Sequence, residues 1–406
     1  MPHYNHISVA VPAMDELDTM PLLIESLKKQ SFGNFDLYVC VNNPDDWWNS
    51  ADKTDIVNNN IQLINLLNST NDIKITIIDK CTKSNGWTGK KKGVGMARKL
   101  LFDRIIADHN SDNIIVSMDA DTTFGPDYLQ SIIEKFNTTS HLSAMAVPYY
   151  HPLSENDNCN RAILRYELYM RYYILQLLRI QSPYAFTALG SAMAFTPKAY
   201  NLAGGITPLE GGEDFYLMQK FCKTGLISVS NTEVVYPSSR TSHRVPFGTG
   251  PAVNKGITEQ EKSYPFYPTT LFDNIKETFD NFDRLYQNDY TTPMTIFLQN
   301  QLKSTDIWFP LRKNYKKADL FVKACTERVD GLRILQYLKH EYNNNYQNCI
   351  NSEIFLKEYC HSQNITLPDD FSLAQSPIGI INDIRNILFQ KENTMREEWD
   401  NKRLKN

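Results

Sequence analysis

Short apolar runs alternate with amphipathic segments through the first 125 residues of the chain. Four of the apolar runs have the length of β-strands: 7–11, 35–41, 73–78 and 114–116. Three intervening segments repeat their apolar residues with helical spacing: 21–29, 60–67 and 96–107. This order of strands and helices predicts an α/β fold with a doubly wound, mostly parallel, Rossmann-like sheet. Ligands of such sheets bind beyond the carboxyl ends of the strands.

The pattern changes twice further along the chain. From residue 126 it predicts a helix, a strand at 144–147, a long helix at 159–180 and a strand at 192–195. The long helix mixes arginine with aromatic residues, which favours a packed core or a subunit interface over a membrane surface. Beyond about residue 264 the composition shifts to Asn, Tyr, Lys and Glu with helical periodicity. We therefore expect a ligand-binding domain at 1–262 and a helical C-terminal region at 263–406.

Composition excludes several classes of protein. With 42 basic and 46 acidic residues the net charge is -4, so no global charge recruits nucleic acid or an anionic membrane. The seven cysteines are scattered without Cys-x-x-Cys spacing, which argues against a disulfide framework or a cysteine zinc site. The sequence shows neither a signal peptide nor an apolar stretch of membrane-spanning length. We expect a cytoplasmic protein with no transmembrane segment, although peripheral membrane contact and a homodimer stay open.

Two carboxylates follow the strand at 114–116, in the sequence Asp119-Ala120-Asp121. Acidic side chains separated by one residue point the same way in extended backbone, so they repel unless a cation or a proton lies between them. Mg²⁺ or Mn²⁺ prefers carboxylate oxygens and often also binds a substrate's phosphates. The pair therefore predicts a divalent metal site with Asp119 and Asp121 as ligands.

Polar turns follow the first two strands. Pro12 and Ala13 lead to Glu16, and the second strand runs into Asn42-Asn43. At the carboxyl edge of the sheet such side chains can bind a base or a ribose. Helix capping and turn formation explain the same residues equally well.

A glycine-bearing element opens the helix at 96–107. Lys92, Gly93 and Arg98 belong to it, and the free N–H groups of a helix start attract an anion such as a phosphate. The lysines of this segment can also be an ordinary solvated surface.

A second acidic pair, Glu213-Asp214, follows a glycine-rich loop at 204–212 and begins an amphipathic helix. Carboxylates in a first helical turn are commonly capping residues. The loop, however, allows a ligand close to the backbone, and Asp214 could then accept a proton from a hydroxyl group that attacks a sugar.

Taken in their order along the chain, these five elements resemble the glycosyltransferase family 2 pattern within the GT-A fold, over about residues 5–250. The resemblance implies a metal-dependent hexosyltransferase that moves a sugar from a nucleotide-diphosphate sugar to an acceptor hydroxyl of a sugar, a lipid-linked glycan or a small molecule. It divides the first domain into a nucleotide half at about 1–125 and an acceptor half at about 126–262. The sequence has no Gln/Arg-x-x-Arg-Trp motif after Asp214, so a processive polysaccharide synthase is not expected.

The resemblance also assigns roles to residues. Nucleotide-sugar binding falls to the residues of the first four elements: Pro12, Ala13, Glu16, Asn42, Asn43, Lys92, Gly93, Arg98, Asp119, Ala120 and Asp121. Glu213 and Asp214 match the acceptor-side Glu-Asp motif, with Asp214 as the base of an inverting reaction. Gly190 and Ser191 match the loop that lines the acceptor pocket.

A segment rich in Arg, His and Gly, at 238–250, follows the next strand. It could close over the diphosphate, with His243 as a further metal ligand and Arg240 or Arg244 neutralising the leaving group.

Two other functions stay open at this point. Asp119-Ala120-Asp121-Thr-Thr123 also fits the Asp-x-Asp-x-Thr motif of haloacid-dehalogenase phosphatases, with Asp119 as nucleophile. A non-catalytic binding protein that keeps the GT-A fold is the second alternative.

Overall fold

The structure is a computed structural model that describes residues 3–89, 92–109, 112–240, 249–259, 264–346 and 351–404. The chain divides into two compact units. The first unit comprises Met1–Ile163, Phe186–Thr258 and Arg396–Asn406, and the second comprises Leu164–Ala185 and Glu259–Met395. The predicted division of function at residue 262 stays a prediction.

The first unit contains a seven-stranded sheet and a small two-stranded sheet. The strands are β1 His6–Ala13, β2 Phe35–Asn42, β3 Ile75–Lys80, β4 Asn113–Ser117, β5 Thr122–Phe124, β6 Leu142–Ala146, β7 Met193–Phe195, β8 Leu226–Ser228 and β9 Val235–Pro237. The large sheet has the order β3-β2-β1-β4-β7-β6-β8, and β5 pairs with β9 in the small one. Neighbouring strands of the large sheet are parallel except β7, which is antiparallel to β4 and β6. The predicted α/β fold with a mostly parallel sheet is confirmed.

Helices connect these strands: α1 Met20–Lys28, α2 Thr54–Ser69, α3 Val94–Asp108, α4 Tyr128–Thr138, α5 Asp157–Arg179, α6 Pro197–Leu202, α7 Glu213–Thr224 and α8 Thr249–Glu259. Two short 3-10 helices lie at Asp45–Asn49 and Ala51–Lys53. The helix α2 begins six residues before the predicted start at Asn60, and the added residues include Ile56 and the buried Val57, which extend its apolar pattern.

The register of the sheet brings several strand ends to one edge. Ala13 pairs with Val41 across β1 and β2, and Ala10 pairs with Ser117 across β1 and β4. The antiparallel β7 begins beside the end of β4, because Met193 pairs with Ser117. The loop before β7 therefore lies at the same carboxyl edge as the residues that follow β1, β2 and β4.

One glycine allows α3 to meet the loop that precedes α7. A Cβ atom at Gly95, in the first turn of α3, would lie 2.2 Å from the carbonyl oxygen of Leu209. No other residue fits there without moving the backbone of one segment. The glycine thus brings the start of α3 and the start of α7 together.

The second unit is helical in the part that the structure describes. It holds the later part of α5 and the helices after residue 264, the last of them up to Met395. Those helices are α9 Thr269–Asp280, α10 Phe282–Gln287, α11 Thr295–Leu302, α12 Phe309–Asn314, α13 Ala318–Arg328, α14 Gly331–Asn345, α15 Glu353–Ser362 and α16 Ile378–Leu404. Among the helices described, none is long and apolar enough to cross a membrane.

Buried ion pairs join α5 to α16 within this second unit. Arg171 bonds Glu167 and lies 2.7 Å from Glu392, and Arg385 lies 3.2 Å from the same Glu167. All four side chains are at most 2% exposed. A buried charge is costly unless it is paired, so these contacts explain how an arginine-rich helix packs inside the unit.

Candidate active site at the carboxyl edge of the sheet

Asp119 and Asp121 lie directly beyond the end of β4. The N–H of Thr122 donates to the carbonyl of Asp119 over 3.2 Å, and this turn leads the chain into β5. Ala120 between them is buried. The side chain of Asp119 is 38% exposed and that of Asp121 is 19% exposed, so both carboxylates can reach a ligand at the edge.

Arg98 joins the first acidic pair to the second. From the buried face of α3, its Nη2 donates to Asp119 and its Nη1 donates to Glu213. Burial lowers the pKa of Arg98, but the nearby carboxylates of Asp119, Glu213 and Asp214 together raise it above its usual value, so the guanidinium stays charged. The two carboxylates are thereby held about one guanidinium width apart.

Gly190 makes room for this guanidinium. A Cβ atom at Gly190 would lie 1.8 Å from Nη2 of Arg98. This distance is too short for any non-bonded contact, so only glycine fits at this position. The carbonyl of Gly190 accepts a hydrogen bond of 2.7 Å from Oγ of Ser117, at the end of β4. Ser191 next to it is buried. The predicted acceptor loop is therefore hydrogen-bonded to the end of β4 and packs directly against Arg98.

Asp214 is the second residue of α7, next to the buried Glu213. Its Oδ1 accepts a hydrogen bond of 2.7 Å from the N–H of Phe215. Burial, followed by the charge of Glu213, raises the pKa of Asp214 from 3.8 to about 7, although Arg98 opposes this rise. A carboxyl group with such a pKa can take up or release a proton near neutral pH.

Arg240 forms the other guanidinium bridge of the site. Its Nη2 lies 2.6 Å from both carboxylate oxygens of Glu16, and its Nε donates to Oδ2 of Asp121 over 3.1 Å. Glu16 is buried and also accepts a hydrogen bond from Thr19. The structure thus brings Glu16, predicted to bind the nucleotide, next to the predicted metal ligand Asp121.

Asn42 and Asn43 are buried at the end of β2 and tie neighbouring loops together. Asn42 donates to the carbonyl of Ala13 and accepts from the indole Nε1 of Trp87, both over 2.9 Å. Asn43 accepts from Nδ2 of Asn60 over 2.9 Å. Pro12 and Ala13 are part of β1.

Two residues of this arrangement were missed by the sequence analysis. Asn60 lies on α2 and Trp87 lies in the loop after β3. The one local signal is Gly86, where a Cβ atom would lie 2.7 Å from the backbone of Asp45. That glycine lets the Trp87 loop pack against the end of β2.

The remaining predicted residues divide into two groups. Lys92 is exposed and Gly93, with φ of 87°, precedes the first turn of α3, so neither joins the Arg98 cluster. His243, the predicted third metal ligand, and Arg244 lie outside the described residues.

No protein-family model matches the chain, and no curated protein matches its sequence. Several solved structures are similar to it. One is S. aureus TarS 1-349 in complex with UDP-GlcNAc, with 12% identity, coverage of 83% of this chain and 91% of that chain, and a TM-score of 0.41.

Two further similar structures hold a nucleotide sugar and Mn²⁺. The mannosyltransferase PcManGT from Pyrobaculum calidifontis, in complex with GDP-Man and Mn²⁺, has 12% identity, coverage of 96% of this chain and 86% of that chain, and a TM-score of 0.35. The glucosyl-3-phosphoglycerate synthase from Mycobacterium tuberculosis, in complex with Mn²⁺, UDP-Glc and phosphoglyceric acid, has 20% identity, coverage of 58% and 70%, and a TM-score of 0.35. Because these values are low, the function of this chain is inferred from its own site.

Proposed function

We propose that this protein is a GT-A glycosyltransferase of the family 2 type, which moves a hexose from a nucleotide-diphosphate sugar to an acceptor hydroxyl in glycan, polysaccharide or glycoconjugate biosynthesis. One observation carries the proposal: Arg98 binds Asp119 with one nitrogen and Glu213 with another. A sugar transferase needs a cation-binding group for the diphosphate and a base for the acceptor within the width of one sugar. The Arg98 bridge supports such an arrangement.

The donor side of the proposed site has carboxylate oxygens that suit a hard divalent cation. Mg²⁺ is usually bound through one or two carboxylates together with water and substrate phosphates, and Mn²⁺ accepts the same ligands. Asp119 and Asp121, both partly exposed at the sheet edge, fit that description and would hold the ion. A bound Mn²⁺ or Mg²⁺ would act as a Lewis acid that stabilises the departing nucleoside diphosphate.

On the acceptor side, Asp214 takes the proton from the attacking hydroxyl. Its raised pKa makes it a base of suitable strength near neutral pH. Glu213 is buried against Arg98 and so positions Asp214 at the start of α7. Attack on the face of the sugar opposite to the diphosphate inverts the anomeric centre. Gly190 and Ser191 line the acceptor side in this proposal.

Arg240 neutralises the negative charge of the departing nucleoside diphosphate in this proposal. In this structure its guanidinium is occupied by Glu16 and Asp121, and it is partly exposed. A diphosphate at Asp121 offers the same guanidinium additional anionic oxygens, so Arg240 can neutralise charge that develops on the donor. Pro12, Ala13, Glu16, Asn42 and Asn43 border the nucleotide in this proposal.

The first test is a thermal-shift panel of nucleoside diphosphates and nucleotide sugars, with and without Mn²⁺. We expect one nucleotide to raise the Tm of the wild type in the presence of Mn²⁺, and the rise to be lost in Asp121→Ala. Asp72→Ala removes an exposed carboxylate elsewhere and should behave as the wild type. The absence of a shift with every nucleotide, together with release of inorganic phosphate from phosphoesters, would overturn the proposal in favour of a phosphatase.

A further inference from the structure

A second cluster of ionisable groups lies at the opposite, amino edge of the large sheet. It consists of His6 at the start of β1, Asp36 on β2 and His109 directly after α3. One nitrogen or oxygen from each residue lies within 4.8 Å of the others. The length of β1 separates His6 from Ala13 by roughly 23 Å, so the cluster is distinct from the candidate active site.

The distances within the cluster suit ligands of a single ion. Nε2 of His6 lies 3.2 Å from Oδ1 of Asp36, and Nε2 of His109 lies 3.0 Å from Oδ2. Two ligands of a tetrahedral ion with bonds of 2.0 to 2.1 Å lie about 3.3 Å apart. The two imidazole rings are stacked, with centroids 4.7 Å apart, so both Nε2 atoms reach the same carboxylate. A small adjustment of these side chains is enough to place an ion between them.

The hydrogen bonds around His6 fix which of its nitrogens carries the proton. Nδ1 lies 3.1 Å from Oδ1 of Asn34, and Nδ2 of Asn34 donates to the carbonyl of Asn5. The asparagine oxygen therefore faces the ring, and Nδ1 is the donor. In the neutral ring Nε2 then presents its lone pair to Asp36. This nitrogen is buried, and among the described residues its recorded polar neighbour is Oδ1 of Asp36, 3.2 Å away and poorly aligned for a hydrogen bond. Two acceptors so close together require a cation or a proton between them.

A neighbouring hydroxyl supports the carboxylate. Oγ of Ser8 donates to Oδ1 of Asp36 over 2.7 Å, and such supporting hydrogen bonds usually orient the ligands of metal sites. The hydroxyl of Tyr38 donates to Oδ2 of Asp108 over 3.1 Å and also lies 3.1 Å from Nε2 of His109, so it must leave that nitrogen when an ion binds there. The ammonium of Lys74 lies 3.4 Å from Oδ2, but its side chain is 72% exposed and can turn into water. Asp36 is fully buried, so its charge depends on these partners.

We propose that His6, Asp36 and His109 bind a divalent first-row transition-metal ion, Zn²⁺ foremost. Two imidazole nitrogens with one carboxylate suit Zn²⁺, whereas Mg²⁺ and Ca²⁺ prefer oxygen ligands throughout. Both histidine side chains are 18% exposed, so the ion has a route in and water can complete its coordination. The bound ion fastens the end of α3 to the first two strands.

The test is a titration of the metal-stripped full-length protein with Co²⁺, whose visible absorption reports tetrahedral ligation, followed by displacement with Zn²⁺. The titration is done in Asp121→Asn, so that the carboxylate pair at the other edge does not contribute. We expect one equivalent to bind. His6→Asn and His109→Asn, made in the same background, should each weaken binding by about 100-fold or more, because even the loss of a supporting group costs 10- to 100-fold. His361→Asn, at an exposed position on α15, is the matched control and should bind as before.

Two results would overturn the metal site. The first is that Asp121→Asn binds neither Co²⁺ nor Zn²⁺. The second is equal binding in the two cluster variants and the control, which would leave a shared proton in the cluster. If the cluster variants do not fold, X-ray absorption of Zn²⁺-loaded Asp121→Asn decides the matter. Two imidazole ligands support the proposal, and a shell of oxygen ligands alone contradicts it.

Discussion

The two edges of the large sheet neutralise their carboxylates with different partners. At the carboxyl edge, Arg98 and Arg240 hold Asp119, Glu213, Asp121 and Glu16. At the amino edge, two histidines face the fully buried Asp36. A guanidinium is charged at every physiological pH. An imidazole is neutral until it binds a proton or a metal ion, and only then does it bring a positive charge next to a carboxylate. The carboxyl edge therefore neutralises its carboxylates with two fixed guanidinium groups. The amino edge has the exposed ammonium of Lys74 beside Asp36, and in the proposed site it also takes up a metal ion from solution.

The largest expected effect tests the chemical role of the carboxyl edge. Asp214→Asn removes the proposed base and keeps its shape, so the rate of nucleoside diphosphate release to an acceptor should fall by roughly 10²- to 10⁴-fold. Binding of the nucleotide in the thermal-shift assay should be retained. Asp72→Asn serves as the control. An Asp214→Asn enzyme with the kcat of the wild type would remove Asp214 from the mechanism.

The next effect concerns the stability that the Arg98 bridge provides. Arg98→Ala leaves the buried Glu213 without its guanidinium, and loss of one partner of a buried ion pair typically costs about 3 to 5 kcal/mol. Urea unfolding gives the free energy directly. Arg104→Ala, on the exposed side of the same helix, should cost less than about 1 kcal/mol. Equal losses in both variants would show that the bridge adds nothing to stability.

A third effect follows from the raised pKa of Asp214. Because the base must be deprotonated, kcat/KM should rise about tenfold per pH unit up to pH 7 and then level off. The contribution of this group to stability has the opposite sign. Its pKa is higher in the folded state than in the unfolded state, so this contribution is present below pH 4 and is lost as the pH rises through 7.

Two profiles check this prediction, the pH dependence of kcat/KM and the pH dependence of the free energy of unfolding. Asp214→Asn should flatten the second profile between pH 4 and 7. If kcat/KM of the wild type does not rise towards pH 7 and Asp214→Asn leaves the stability profile unchanged, Asp214 is not the group that titrates in this range.

The smallest effect is expected at Arg240, which is about one third exposed. Arg240→Gln should lower the free energy of unfolding by about 1 to 3 kcal/mol, less than Arg98→Ala, because the buried Glu16 loses a charged hydrogen-bond donor. Removing the guanidinium from Asp121 should strengthen binding of Mn²⁺ alone by about fivefold, which corresponds to about 1 kcal/mol. Calorimetric titration measures this. Weaker Mn²⁺ binding in Arg240→Gln would mean that Arg240 supports the metal ligands instead of competing for them.

The local features of the site could be predicted from the sequence. Asp119 and Asp121 follow an apolar run, and Glu213 and Asp214 follow glycines and begin a helix, so each pair is visible within about ten residues. The parallel strands before them are long enough to show their pattern. The sheet edge to which all of them belong then follows from the order of strands and helices.

The partners of these residues could not be predicted. Arg98 lies 115 residues from Glu213 and 21 from Asp119, in a helix where an arginine is unremarkable in sequence. The antiparallel direction of β7 and the pairing of β5 with β9 involve strands of three residues, too short for any periodicity. The amino-edge cluster is likewise assembled from three distant segments. Such contacts depend on packing, and single-sequence patterns do not record it.

Helix α3 connects the two edges, because Arg98 lies in its second turn and His109 follows its last residue. The two residues are eleven positions apart, which corresponds to roughly 16 Å along the helix axis. The helix therefore fixes an angle as well as a length. Insertion of one residue between them would rotate Arg98 by about 100° relative to His109. A homologue that keeps both clusters must therefore keep the same number of residues between Arg98 and His109. A single insertion there would disrupt either the Arg98 cluster or the His109 cluster.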